Sequence, residues 1–390
     1  MRLLATTHVP HWAVNGAVMS SGYFVRDLRI FGDFFDEVHI CAPVLRDELA
    51  DDAVAYPERY TLTDCPCPKG GSFLPRLRRL IALPCNVLRI LRAMRRCDAV
   101  HIRCPGPLGL HGAIALVFSR KPRCAKYAGQ WEGDLDQPIA GTIQRWLLSR
   151  RGFGGPVTVN ALWNGNRGHI FSVFNSSVAR AQLERARGIA QSKALENPTR
   201  FLFVGRIDSN KNLRVIVQAF ARARAKTGRD LRLDVVGDGP ERASARELVS
   251  ELGLSGAVCF HGRMLPQDVW RVYADSHILV LASSAEGWPK TPMEAMCYGL
   301  PCICTNVSTL PMILADNERG LLVEPRDVDG LADAMRRLAT DEELYTRLSR
   351  AGREWVESKT YEDLMVQIKR ILEESWGMKL RTPDWMKNDA

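Results

Sequence analysis

The chain has 390 residues, 46% hydrophobic and 25% charged, which excludes a disordered polymer and gives enough length for two cores of ordinary size. No run approaches the roughly 20 apolar residues that span a bilayer, and MRLLATTHVP, ended by Pro10, lacks the length and cleavage site of a secretory signal; the expectation is a cytoplasmic protein, soluble or peripheral. The formal net charge of +9 is uneven, because residues 65–126 hold thirteen Lys or Arg against one acid, Asp98, which points to a local anionic partner.

In chain order, the first half reads as strands at MRLLATT (1–7), EVHICAP (37–43), AVHIRC (99–104), CAKYAG (124–129) and VTVNA (157–161). Between the second and third, RLRRLIALPCNVLRILRAMRRC sets Leu77, Leu80, Ile81, Val87, Leu88, Leu91 and Met94 on an approximate helical face bordered by seven arginines. Pro84 is expected to kink or split that segment. Such a helix fits either an anionic membrane surface touched by residues 76–96 or a core helix with a solvated basic rim. A nucleic-acid partner is disfavoured: only Phe73 and Phe118 are aromatic between Cys65 and Arg123, and stacking platforms are missing.

The polar stretch over 176–199 breaks the strand rhythm and is read as a linker between an N-terminal domain (1–175) and a C-terminal one (200–358). The second domain alternates strands and helices: FLFVG (201–205), LDVVG (233–237), AVCFHG (257–262), ILVLAS (278–283), PCICT (301–305) and GLLVE (320–324). That is the grammar of an α/β fold with a parallel sheet. Leu213, Ile216, Val217 and Phe220 mark one helix against it, and Ala245, Leu248, Val249 and Leu252 the next. Residues 359–390 are expected to be an amphipathic helix, through Leu364, Ile368, Ile371 and Leu372, and a loose tail. The eleven cysteines, odd in number and scattered, suit a reducing compartment. Cys65/Cys67 and Cys302/Cys304 have gaps too short for a zinc site, so no metal is expected.

Two glutamates stand eight apart in SSAEGWPKTPMEAMCYGLP (283–301). Thr291, Pro292 and Glu294 have the form of a capping box. Glu286 has no such structural use, and it follows a strand directly, where open parallel sheets bind ligands. Lys211 sits where a helix begins, an end that disfavours cations unless an anion is bound there. Arg206, next to Gly205 at a strand end, suits phosphate oxygens. The amides of Trp288 and Lys290 could add to such a site.

In order and spacing, FVGRIDSNKN, VVGDGPE, FHGRM and the Glu-x7-Glu segment resemble the nucleotide-sugar half of the family 4 glycosyltransferases, also described as glycosyl transferases group 1, which are retaining enzymes of the GT-B fold. The likeness is strong over about residues 200–360. It implies two Rossmann-like domains facing across a cleft. It further implies Glu286 on the donor sugar, Glu294 on the ribose, Arg206 and Lys211 on the diphosphate, and Gly262, Arg263 and Met264 beside the base. Arg206, Lys211 and Glu286 would then be catalytic, with no cofactor.

The implied acceptor is a glycan or a polyprenyl-diphosphate-linked sugar, in polysaccharide or lipopolysaccharide biosynthesis. On the acceptor side the chain departs from the family. Where many members carry a histidine it reads KYAGQWEGDLD, leaving Gly129 or Gln130 in that slot and Glu132 or Asp134 as nearby carboxylates. Asp134 and Asp136 form a D-x-D that is not expected to hold a metal. Gly22 is the one match to a first-loop glycine pair, and His8 and His11 read as solvated. A nucleotide-sugar epimerase or a phosphorylase of the same architecture is the alternative reading.

Overall fold

The computed structural model describes residues 1–50, 52–68, 73–129, 131, 139–160 and 168–387. The chain divides into two units, Met1–Val173 with Leu364–Ala390, and Phe174–Asp363.

In the first unit, apolar β-branched runs pair into a parallel seven-stranded sheet. Its order is Ile170–Ser172, Val157–Val159, Arg123–Tyr127, Ala99–Cys104, Arg2–Thr6, Glu37–Ala42 and Tyr60–Asp64. Five of these are the strands expected from sequence; Tyr60–Asp64 and Ile170–Ser172 are additions. A small antiparallel sheet of Trp12–Val14, Ala17–Ser21 and Ala53–Ala55 is also new. Pro84 does not split the basic segment, which runs as one helix from Phe73 to Arg95. Val87, Ile90 and Met94 bury one face of it in the core, while Ile81 and Leu88 stay exposed.

The second unit carries all six expected strands in one parallel sheet, ordered Val258–Gly262, Leu231–Val236, Thr199–Val204, Ile278–Leu281, Cys302–Thr305 and Gly320–Val323. The anticipated helix faces are buried, except Leu252, which caps the end of its helix and is exposed. Residues 176–199 are not a linker. They form the helix Arg180–Ser192, which buries Leu183, Ala186 and Ala190, and Asn175, Ser176 and Ser177 are buried before it. The polar composition misled because these hydroxyls and amides serve inside the unit. The tail expected to be loose is anchored at its start. From Leu364 the helix Tyr361–Trp376 belongs to the first unit, Trp376 donates to the Arg123 carbonyl (3.1 Å), and Leu380 is buried. No described helix is long and apolar enough to cross a membrane.

Several histidines of the first unit are sealed in its core. Burial holds His11 at about 4, His101 at about 3 and His111 at about 4, against 6.5 for a free imidazole. All three values lie below the unfolded one, so the unfolded chain takes up protons first as pH falls. Stability is therefore full above 6.5 and lost as pH falls from about 6.5 through about 4 for His11 and His111 and about 3 for His101. The melting temperature should drop across that window, and His101→Gln should flatten the drop; an unchanged slope would contradict this assignment.

Candidate functional site

The second unit gathers its polar side chains at the carboxyl ends of the strands. There, a cavity of about 520 Å³ is lined by Gly205, Arg206, Gly237, Asp238, Arg263 and Met264, among others. Three loops meet to form it. The Gly205 amide donates to the Val236 carbonyl (3.0 Å), Gly237 to Gly262 (2.8 Å) and Ile207 to Asp238 (2.9 Å). The glycines in VVGDGPE make this approach feasible. Gly237 has φ +136°, and a β-carbon on it would strike the Gly205 carbonyl oxygen; one on Gly239 would strike that of Ile207. Gly237, Asp238 and Gly239 are site residues to which sequence reasoning gave no role, although the motif that contains them was visible.

Beside the cavity, Lys211 forms an ion pair with Glu286. The lysine stem passes within 3.8 Å of the place a β-carbon on Gly205 would occupy. Lys211 is 20% exposed and Glu286 only 9%, so each charge is mostly removed from water and needs the other. The anion that Lys211 requires at the start of the helix Leu213–Ala225 is thus present within the protein, a partner not foreseen from sequence.

The two asparagines of SNKN fix the geometry. Asn210 donates to the Ala285 carbonyl (2.9 Å) and accepts from the Ala285 amide (3.0 Å). Asn212, at φ +50°, donates to the Ala282 carbonyl and to Ser284 Oγ, both at 2.8 Å. Ser308 Oγ then accepts from the Glu286 amide (3.0 Å). Arg206 is held more loosely, 73% exposed, with Nε 3.5 Å from Asp208.

Glu294 behaves differently from the expected capping box. The helix spans Thr291–Cys297 with Lys290 at its cap and no side-chain capping bond. The Glu294 carboxylate instead accepts from Ser177 Oγ (2.5 Å) and Tyr273 Oη (3.0 Å). Burial and that carboxylate push the Tyr273 hydroxyl well above its ordinary value, so it remains a donor. Glu294 is not part of the cavity lining described above. The Trp288 ring is buried edge-on against Phe174, centroids 5.5 Å apart, so only its backbone could serve a ligand. Lys290 is half-buried at the helix cap.

In the first unit, Gly22 opens the helix Gly22–Gly32, and its amide is spent on the Asp52 carbonyl (2.8 Å). Gln130, Glu132, Asp134 and Asp136 lie outside the described residues. His8 and His11 are not solvated. His11 is buried between Phe24 and Tyr56. His8 packs against Gly106 where two strands end, and burial and Arg103 lower it to about 4, leaving it neutral at physiological pH.

Among the described residues one grouping could hold a metal: Asp234, Cys259 and His261 bring donor atoms within 4.8 Å of one another on an edge strand and its neighbour. Arg200, 3.2 Å from Asp234, already supplies a cation there.

Residues 185–355 match the family described as Glycosyl transferases group 1. The chain is 32% identical over 175 residues to N-acetyl-alpha-D-glucosaminyl L-malate synthase of Bacillus anthracis, covering 45% of this chain and 44% of that protein, so the match spans less than half of that relative. It is 31% identical over 321 residues to 2-deoxystreptamine glucosyltransferase of Streptomyces kanamyceticus, covering 73% of this chain and 81% of that one. The structure of Anabaena HepE in complex with UDP superposes with a TM-score of 0.70 at 15% identity, covering 96% of this chain and 100% of that chain. With two parallel α/β sheets, the four motifs in order and a relative matched across most of its length, the chain belongs to the glycosyl transferases group 1 family and has the GT-B fold.

Proposed function

We propose that this protein transfers a sugar, with retention of anomeric configuration, from a nucleotide-diphosphate sugar to a glycan or polyprenyl-diphosphate-linked acceptor in polysaccharide or lipopolysaccharide assembly. The observation that carries the reading is the Lys211–Glu286 pair set beside Gly205 and Arg206 at the strand ends of the second unit. The UDP in the HepE complex supports a nucleoside diphosphate donor.

In this reading the donor diphosphate lies against Arg206 and takes Lys211 from Glu286. The freed Glu286 carboxylate accepts hydrogen bonds from the sugar hydroxyls. Glu294 takes the ribose, exchanging bonds from Ser177 or Tyr273, and Gly262, Arg263 and Met264 border the base. As the anomeric carbon–oxygen bond breaks, negative charge grows on the leaving diphosphate. Once Lys211 and Arg206 are seated on the diphosphate, two cations face that growing charge and lower the barrier. The charge stabilisation is assigned to these side chains and the mechanism calls for no metal. Peripheral contact with an anionic membrane through residues 76–96 belongs to the same proposal, supported by exposed Ile81 (69%) and Leu88 (54%) and by exposed Arg92 and Arg95 one and two turns past Leu88. Equal partitioning onto anionic vesicles of wild type and an Arg89→Gln/Arg95→Gln variant would remove that element.

A thermal-shift screen of nucleotide sugars without acceptor should raise the melting temperature with one donor, because a ligand bound only to the folded state stabilises it. Arg206→Ala and Glu294→Ala should shrink the shift. Arg206→Ala should also cost on the order of 100-fold in transfer rate. Shifts equal to wild type in both variants would misplace the site, and a new sugar nucleotide formed without acceptor would favour an epimerase.

The ion pair itself is open to a double-mutant cycle in urea. Lys211→Met and Glu286→Gln should each destabilise, and the double variant should lose less than their sum, with coupling of roughly 1–3 kcal/mol. Strict additivity would mean that the two charges do not depend on each other.

A further inference from the structure

A second cavity, of about 650 Å³, opens in the first unit between the edge of its sheet and the last turns of the helix Phe73–Arg95. Arg2 and Glu37, the first residues of their strands, line one end of it, and Thr63, next to last in its strand, lines the other, so it runs along a face of the sheet under the helix. Ligands of open parallel sheets bind in the crevice outside the carboxyl ends. A cavity on the face of the sheet is a different place.

Its lining holds five arginines and one carboxylate. Glu37 is engaged by Arg2, whose Nε donates to it over 2.7 Å. Arg89 donates to the Asp64 carbonyl (2.9 Å). The side chains of Arg92, Arg95 and Arg96 have no carboxylate partner among the described residues. A helix carboxyl end welcomes cations, but it offers only roughly half a negative charge. Arg92 and Arg95 on its last turn and Arg96 just past it, three guanidinium groups without a carboxylate among the described residues, exceed what it can neutralise.

The opposite wall is built to donate or accept hydrogen bonds. His39 lies with Nδ1 2.8 Å from Thr61 Oγ1 and Nε2 2.9 Å from Thr63 Oγ1. Three polar groups thus stand in a row on adjacent strands, facing the arginines across the cavity. Guanidinium forks opposite hydroxyls suit the several oxygens of a phosphate, and the volume admits a whole small phosphorylated molecule.

We propose that this cavity is a second anion site, taking a phosphate ester or diphosphate group carried by a soluble molecule or by a phospholipid head group. It is independent of the donor reading, since all of its residues lie in the other unit, but it shares Arg89, Arg92, Arg95 and Arg96 with the proposed membrane contact, from which the saturable response to pyrophosphate in the absence of vesicles separates it.

The probe is inorganic pyrophosphate, read at the His39 ring, whose resonance is assigned by its loss in His39→Gln. Burial, Arg2 and Arg96 hold His39 below its ordinary value, so an anion in the cavity should move its titration upward, saturably and at constant ionic strength. Arg92→Gln/Arg96→Gln, which removes exposed side chains and should melt like wild type, should weaken that response about tenfold or more. Pyrophosphate in the donor site would be reported by Arg206→Ala and should leave the His39 response intact.

Vesicles containing phosphatidic acid distinguish the sources. Pyrophosphate-reversible binding that the double variant loses assigns a lipid head group, and saturable pyrophosphate binding without vesicle binding assigns a soluble ligand. Either supports the phosphate site. A His39 response that sodium chloride reproduces at matched ionic strength, that is absent, or that the double variant retains in full would overturn it.

Discussion

A lysine at the amino end of a helix faces a field of the wrong sign, and a carboxylate just past a buried strand loses its water. Neither is stable there alone. In this protein the two solve each other's problem, because Lys211 and Glu286 meet at the strand ends of the second unit. The surrounding architecture serves that meeting. Asn210 and Asn212 tie the lysine loop to the glutamate loop, Ser308 holds the Glu286 amide, and Gly237 lets the neighbouring loop close over Gly205. The outcome is a neutral pair; under the function proposed above, an incoming diphosphate would divide it, leaving a cation for phosphate and an anion for hydroxyls.

The second unit was legible because its central strands are buried on both faces and so read as continuous apolar runs such as FLFV and ILVL. Helix faces followed from the same physics, with Leu252 exposed only because its helix ends one residue earlier. What composition concealed were polar residues employed inside the fold. Ser177 looked like linker and instead donates to Glu294, a bond between residues 117 positions apart that no local pattern predicts. The same bond explains the missing capping box: the Glu294 carboxylate is occupied by Ser177 and Tyr273 and does not turn back to its own helix. A lysine at a helix start suggests a bound anion, but spacing alone could not show that Glu286, 75 residues on, is its partner.

The first unit was harder to read for physical reasons. Ile170–Ser172 is a strand of only three residues, too short to show a period. Charges that would ordinarily mark a surface lie inside it. Asp27, 3% exposed, pairs with the equally buried Lys126 and with Arg103, joining the helix Gly22–Gly32 to the sheet. Histidines that read as solvated are neutral and packed. At the other extreme, the basic helix divides its charge between a buried apolar face and a cavity of arginines, a split visible only once Val87, Ile90 and Met94 are seen to face the core.

A crystal structure with an intact nucleotide sugar would test the central account most directly. The expected result is Lys211 Nζ within hydrogen-bond distance of a diphosphate oxygen, Arg206 on the same group and Glu286 on a sugar hydroxyl. A nucleotide seated elsewhere, with Lys211 still paired to Glu286, would contradict it.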